Sequence, residues 1–321
     1  MKMAPKNVIL MSIGIVLSSG LGVGVGYVLS NFFPHVVKEV KYDYDENYLK
    51  ADSDACLKKF EKFQGSEKAF DGKSLAGWEI INASLKKFEN QENNMSQGIG
   101  YAKARVGPID VMQQIRSTMY RVGDSYFEES LSKSSVVNVA WRMYQEGEIT
   151  KRYKGGCPSN VEKPVFASDA SPTVYSESEY FEHAGRNLDG SSCIYLISDK
   201  TLSLDNQKAT SGLPRNDISK NEDGTFTIDL ELDPRKSVVN YIRQMKATTD
   251  MNGNPIFDYV HISFTVTKDG DLVSSTSNEK YFASTPSGSS NLEGQLVTHY
   301  STGGNYAIPE LNTPIVYENK N

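Results

Sequence analysis

The sequence predicts an α+β protein: one N-terminal transmembrane helix, then a large antiparallel sheet covered on one face by helices. Three observations predict it. No charged residue occurs from Val8 to Phe33. Later segments alternate apolar and polar residues with a period of two, the mark of strands with one wet face. Two stretches before these strands, and one between them, instead space apolar residues three and four apart.

As a helix, Val8–Phe33 spans about 39 Å, enough to cross a hydrocarbon core of about 30 Å with tilt. The competing reading is a cleaved signal peptide, with Val8–Leu17 as its apolar region and Ser18-Ser19-Gly20 as the cleavage site. Cleavage there leaves Leu21–Phe33 as an apolar terminus on a soluble chain, so the anchor is preferred. Lys2 and Lys6 favour a cytoplasmic N-terminus, with the bulk of the chain extracytoplasmic on the cell membrane. The expected organisation is an anchor with a short cytoplasmic N-terminus over 1–33 and a juxtamembrane linker over 34–43. An α+β domain over 44–307 and an extended tail over 308–321 follow. Gly20, Gly22, Gly24 and Gly26 form small-xxx-small pairs that permit a homodimer through the membrane helix. The plainer reading is that glycine is common in such helices.

Tyr44–Gln64 reads as a helix with Cys56, Phe60 and Phe63 on one side. The next helix is clearer, with Ser74 as N-cap and Leu75, Trp78, Ile81, Leu85 and Phe88 as its apolar stripe. Strands follow. Gly98–Val106 puts Ile99, Tyr101, Lys103 and Arg105 on one face and Gly98, Gly100, Ala102 and Ala104 on the other. A face that small accepts a neighbouring element at short distance. Val137, Val139, Trp141 and Met143 alternate with Asn138, Ala140 and Arg142, giving one apolar and one wet side. Glu146-Gly147 turns the chain into Glu148–Lys154.

Pro158–Leu188 is polar and irregular, a loop or a lid, and Cys193–Ser198 reads as a short apolar strand. Phe226, Ile228, Leu230 and Leu232 then alternate with polar residues. Asp233-Pro234 opens a helix whose buried stripe is Val238, Tyr241, Ile242 and Met245. Val260, Ile262, Phe264 and Val266 mark the next strand, and Lys268-Asp269-Gly270-Asp271 a hairpin turn. Leu272–Ala283 and Gly294–Thr302 complete the sheet.

The net charge is −6, and because residues 1–33 hold Lys2, Lys6 and no acid, the rest of the chain carries −8. That balance argues against a nucleic-acid partner. Three cysteines are too few for a disulfide scaffold. Cys157 and Cys193 either pair outside the cytoplasm, contributing about 3–4 kcal/mol by loop closure, or are two free thiols. Cys56 reads as a small buried apolar residue.

Chemistry is sparse. The four histidines, His35, His183, His261 and His299, have no zinc-ligand spacing, and His261 and His299 read as solvated sheet-face residues. No Gly-x-Ser-x-Gly occurs, and Ser84-Leu85-Lys86-Lys87 lacks the Lys-Thr-Gly that accompanies Ser-x-x-Lys. Asp250–Asn254 begins like a calcium loop, but Pro255 stands where glycine is required and His261 where glutamate is. Glu128-Glu129 shows no acid–base geometry. No catalytic residue, metal ligand or cofactor is assigned, and a protein without enzymatic activity is expected.

What remains is apolar. Trp78, Ile81, Leu85 and Phe88 on the helix, with Val139, Trp141, Met143, Ile262 and Phe264 on strands, are either ordinary core or the lining of a cleft. Such a cleft between sheet and helices suits a lipid or other apolar ligand. The alternative role is a structural or protein-interaction module of the cell envelope.

The order of elements resembles the LolA/LppX-like lipoprotein- and lipid-carrier half-barrels. The helix Ser74–Phe88, the strands over Gly98–Lys154, and the unit Thr225–Leu232, Asp233–Met245, Tyr259–Thr267, Leu272–Ala283 carry it, without a diagnostic motif. The resemblance implies a curved, half-barrel-like sheet that cradles acyl chains on its concave face beneath helices, with the Trp78 stripe facing that cavity. The membrane helix departs from the pattern, and a tethered protein does not shuttle across a wide compartment.

Overall fold

The protein is seen here as a computed structural model, which describes residues 42, 51–106, 109–134, 138–157, 163–176, 179, 195–203, 216–248, 253–285 and 288–317. The expected anchor, its glycines, His35, His183 and Cys193 lie outside them. Among the described residues no helix is long and apolar enough to cross a membrane.

Two helices come first, α1 (Ser53–Glu61) and α2 (Gly77–Glu89), and then six strands: β1 (Asn93–Val106), β2 (Ile109–Val122), β3 (Ser125–Lys133), β4 (Asn138–Glu146), β5 (Ile149–Gly155) and β6 (Thr173–Tyr175). After β7 (Asp217–Lys220) and β8 (Phe226–Leu232), the short α3 (Pro234–Ser237) and α4 (Val239–Thr248) precede β9 (Ile256–Val266), β10 (Leu272–Thr285) and β11 (Gly288–Thr302). The strands make one antiparallel sheet in the order β6-β5-β4-β3-β2-β1-β11-β10-β9-β8-β7. It consists of two meanders joined where β1 pairs with β11. Both edge strands are short, which blunts edge-to-edge pairing with other molecules.

The expected small face of β1 sits at that junction. Ala102 and Ala104 are buried, and a Cβ on Gly100 would lie 2.1 Å from the Gln295 carbonyl oxygen. Only glycine admits such an approach, and glycine in a strand commonly marks a sharp bend. The sheet is curved.

The helices pack on β8, β9 and β10, on what is here called the front face. Phe226, Ile228, Leu230 and Leu232 of β8, with Val260, Ile262, Phe264 and Val266 of β9, form the floor of the core. Val238, Tyr241, Ile242 and Met245 close over it, as their spacing predicts. Each such side chain contributes roughly 1.5–3 kcal/mol by leaving water. Phe70 stacks on Phe226 at 3.9 Å between centroids, with Phe60 of α1 edge-on to Phe70. The β9–β10 turn tucks against the same ring: a Cβ on Gly270, whose φ is +82°, would lie 2.6 Å from Phe60.

Several expectations need correction. Asp52 caps α1 through its side chain, which accepts from Ala55 N–H. The cap of helix α2 falls two residues later than expected, at Ala76. Glu79 accepts from the Ala76 N–H, while Ser74 is held by Asp71 instead. The helix opened by Asp233-Pro234 breaks at Val238, giving α3 and α4. Tyr195–Ser198 is buried but not a strand. Leu196 N–H donates to the Ser237 carbonyl, and the Ile197 carbonyl accepts from Asn82, so helix-side groups satisfy this backbone.

The largest correction concerns the wet side of β4. Arg142 is 1% exposed, because residues 306–317 run as a strap across the back of the sheet. Its Nε donates to Glu129 Oε2 at 2.6 Å, and its two terminal nitrogens reach the carbonyls of Glu310, Leu311 and Thr313. His261 on the back of β9 is likewise buried, with Nε2 3.5 Å from Asp229 Oδ1.

Candidate functional site

The sequence-predicted site residues separate into two groups. Ile81, Ile262 and Phe264 are buried in the main core, and Trp78, Leu85 and Phe88 pack half-buried against it. Phe88 meets Tyr300 edge to face at 5.1 Å. Trp141 and Met143 lie toward the other end of the sheet, where Met143 clusters with Met119 and Tyr126 and the Arg152 guanidinium sits 4.0 Å over the Trp141 ring. Register through Ser277, Leu296, Gly100, Ile115 and Ser132 puts Ile262 and the Val139 position of β4 in one row across the sheet. Strands β10, β11, β1, β2 and β3 therefore separate the two groups. The Val139 side chain lies outside those described.

A void lies where the edge of β8 changes partners. Strand β7 pairs with Phe226–Asp229, whereas the Ser203 N–H and Thr201 carbonyl bond to Glu231 and Asp233. Between these two short partners, at Leu230, a cleft of about 340 Å³ opens toward the first turn of α2. Leu230, Ile218 and Leu202 give it apolar walls, Phe70 closes one side, and Ala76 and Gly77 bring the helix in. Gly77 sets the closeness of helix and sheet, since a Cβ there would lie 2.8 Å from Ile228 Cγ2.

Polar groups stand at the rim. Asn216 holds φ at +48°, the one non-glycine residue with positive φ among those described, a conformation asparagine tolerates better than most. Asp217 and Asp71 are exposed beside it. The backbone N–H groups of Ser74 and Lys73 hold the Asp71 carboxyl below its ordinary pKa, so it stays ionised at neutral pH. The cleft therefore combines two exposed carboxyls at its rim with an aliphatic patch of Leu230, Ile218 and Leu202. Of the expected residues, only Trp78 neighbours the cleft, next to Gly77 in the chain. Asn216, Asp217 and Leu202 were not singled out from sequence, because an edge strand of four residues has too little periodicity to read.

Cys56 is a buried apolar-like thiol, pushed up to about 11 chiefly by burial. Cys157 packs with Leu131, Ala140 and Phe166 behind the sheet, and its pairing with Cys193 falls outside the described residues. Among the described residues no three His, Cys, Asp or Glu side chains gather to hold a metal.

Neither a family model nor a curated protein matches the chain. Solved structures do. A Vibrio parahaemolyticus domain assigned to outer membrane lipoprotein sorting is 12% identical, with 71% of this chain and 92% of that one covered and a TM-score of 0.27. LprF from Mycobacterium bovis is 8% identical, covering 74% and 97%, with a TM-score of 0.28. A LolA superfamily protein from Nitrosomonas europaea is 9% identical, covering 73% and 96%, with a TM-score of 0.23. At these identities and TM-scores the likenesses identify neither a ligand nor a site.

Proposed function

We propose that this chain binds a lipid or other ligand with a single apolar tail in the cleft between α2 and β8. In this reading Val8–Phe33 tethers the domain on the extracytoplasmic side of a membrane. One observation carries the reading: a half-open cleft of about 340 Å³, lined by Leu230, Ile218 and Leu202 together with polar rim residues, lies where β8 has lost its edge partner. That volume falls at the lower end of small-molecule sites, which suits one tail. The carboxylates of Asp71 and Asp217 at the rim favour a neutral or cationic polar end over an anionic one.

Ile218→Trp tests the site, because Ile218 is half-buried on an edge strand and a larger ring there fills the void. A fluorescent long-chain alkylamine should bind the wild type at least tenfold more tightly than Ile218→Trp, and more tightly than the matching fatty acid. Equal binding by the two proteins would move the site elsewhere.

A structural or interaction module of the envelope, without enzymatic activity, is the second reading. It is favoured by the filled centre of the helix–sheet interface, where Ile81, Ile262 and Phe264 leave little exposed surface.

A further inference from the structure

Glu279 is the fully buried carboxyl on the front face of β10, flanked in register by Val260 of β9 and Gly294 of β11. Tyr241 of α4 donates its hydroxyl to Glu279 Oε1 at 2.8 Å, and Tyr195 donates to Oε2 at 2.9 Å. The two rings meet edge to face at 5.9 Å. The Leu196 N–H, bonded to the Ser237 carbonyl, ties the 195–203 segment to α3. One carboxyl therefore joins both pieces of chain that cover this part of the sheet to the sheet itself.

We propose that Glu279 is a pH-sensitive latch: its proton keeps α4 and the 195–203 segment seated, and loss of that proton lets them lift. The groups facing it are Tyr241 from α4, Tyr195 from the covering segment, and Tyr281 further along β10, while Tyr259 of β9 feels its charge. Val260 and Gly294 bring no charge. No cation among the described residues offsets the carboxylate.

Burial raises the carboxyl to about 8, against the opposing pull of the Tyr241 and Tyr195 hydroxyls. At neutral pH it therefore keeps its proton, so that one of the two tyrosine hydroxyls donates to it and the other accepts from it. Once the cover lifts, the group meets water and returns to its ordinary value of 4.5. The seated form binds the proton more tightly, so lifting is suppressed at low pH. It grows about tenfold per pH unit between those two values, then levels off where both forms are ionised, a total on the order of a thousandfold. This holds whether or not the cleft binds a ligand.

Hydrogen exchange of the full chain tests it, with each amide rate divided by its intrinsic rate at that pH. The Leu196 and Ile242 amides should lose protection about tenfold per unit from pH 5 toward 8, while the β1–β11 amides do not. Glu279→Gln should flatten the profile. Tyr195→Phe, which removes a donor to the charged form and retains Glu279, should move the levelling-off to higher pH. A flat wild-type profile overturns the latch, as does an unchanged slope in Glu279→Gln or an unmoved levelling-off in Tyr195→Phe.

Discussion

Arg142 sits in the back of the sheet with its guanidinium spent on one carboxylate and three main-chain carbonyls. Burial raises the Glu129 carboxyl above its ordinary pKa, while Arg142 and the Tyr317 hydroxyl pull it down. A buried ion pair of this kind fixes one arrangement more than it adds stability, but breaking it is costly. Arg142→Ala should lower stability by about 3–5 kcal/mol in urea titration. A loss below about 1 kcal/mol would mean that the strap is held by other contacts. The pattern of β4 could not show this, since alternation reports which residues share a face and not what later covers that face. Phe264 and Val260 were legible because their own strand packs on them. Glu279 was not, for an acid between Asn278 and Lys280 reads as an exposed position.

Elements fare differently according to length. Strands β1 and β9 were readable because each carries many alternating positions, β10 because the Lys268-Asp269-Gly270-Asp271 turn precedes it, and α4 because Asp233-Pro234 marks its approach. Strands β6 and β7, of three and four residues, carry too few. The cleft depends on β7, so its position was invisible in the sequence although its helical wall was not. The bend at β1 yields a direct expectation. Gly100→Ala pushes a methyl toward the Gln295 carbonyl and should cost about 1–3 kcal/mol or more, seen as a lower melting temperature. The strap forms a second unit. Deleting 305–321 should destabilise the chain and reduce the further effect of Arg142→Ala, a non-additivity that a double-mutant cycle measures. Full additivity would show that strap and guanidinium act separately.

At the scale of the molecule, one curved sheet carries three unlike regions. Its β8–β10 front is packed beneath helices, its β2–β4 back is strapped by residues 306–317, and its β8 edge is left open over a cleft. The antiparallel α+β class followed from period-two alternation, because one solvated face per strand is a property that hairpins share. Where the packing stops did not follow, since it depends on the short partners of β8. In the proposed function this open edge receives an apolar tail. Native mass spectrometry of the full chain, purified without delipidation, tests it most directly. A one-to-one adduct of lipid mass, lost in Ile218→Trp, is expected. An unadducted wild type after repeated preparations, or an adduct retained by the variant, would contradict it.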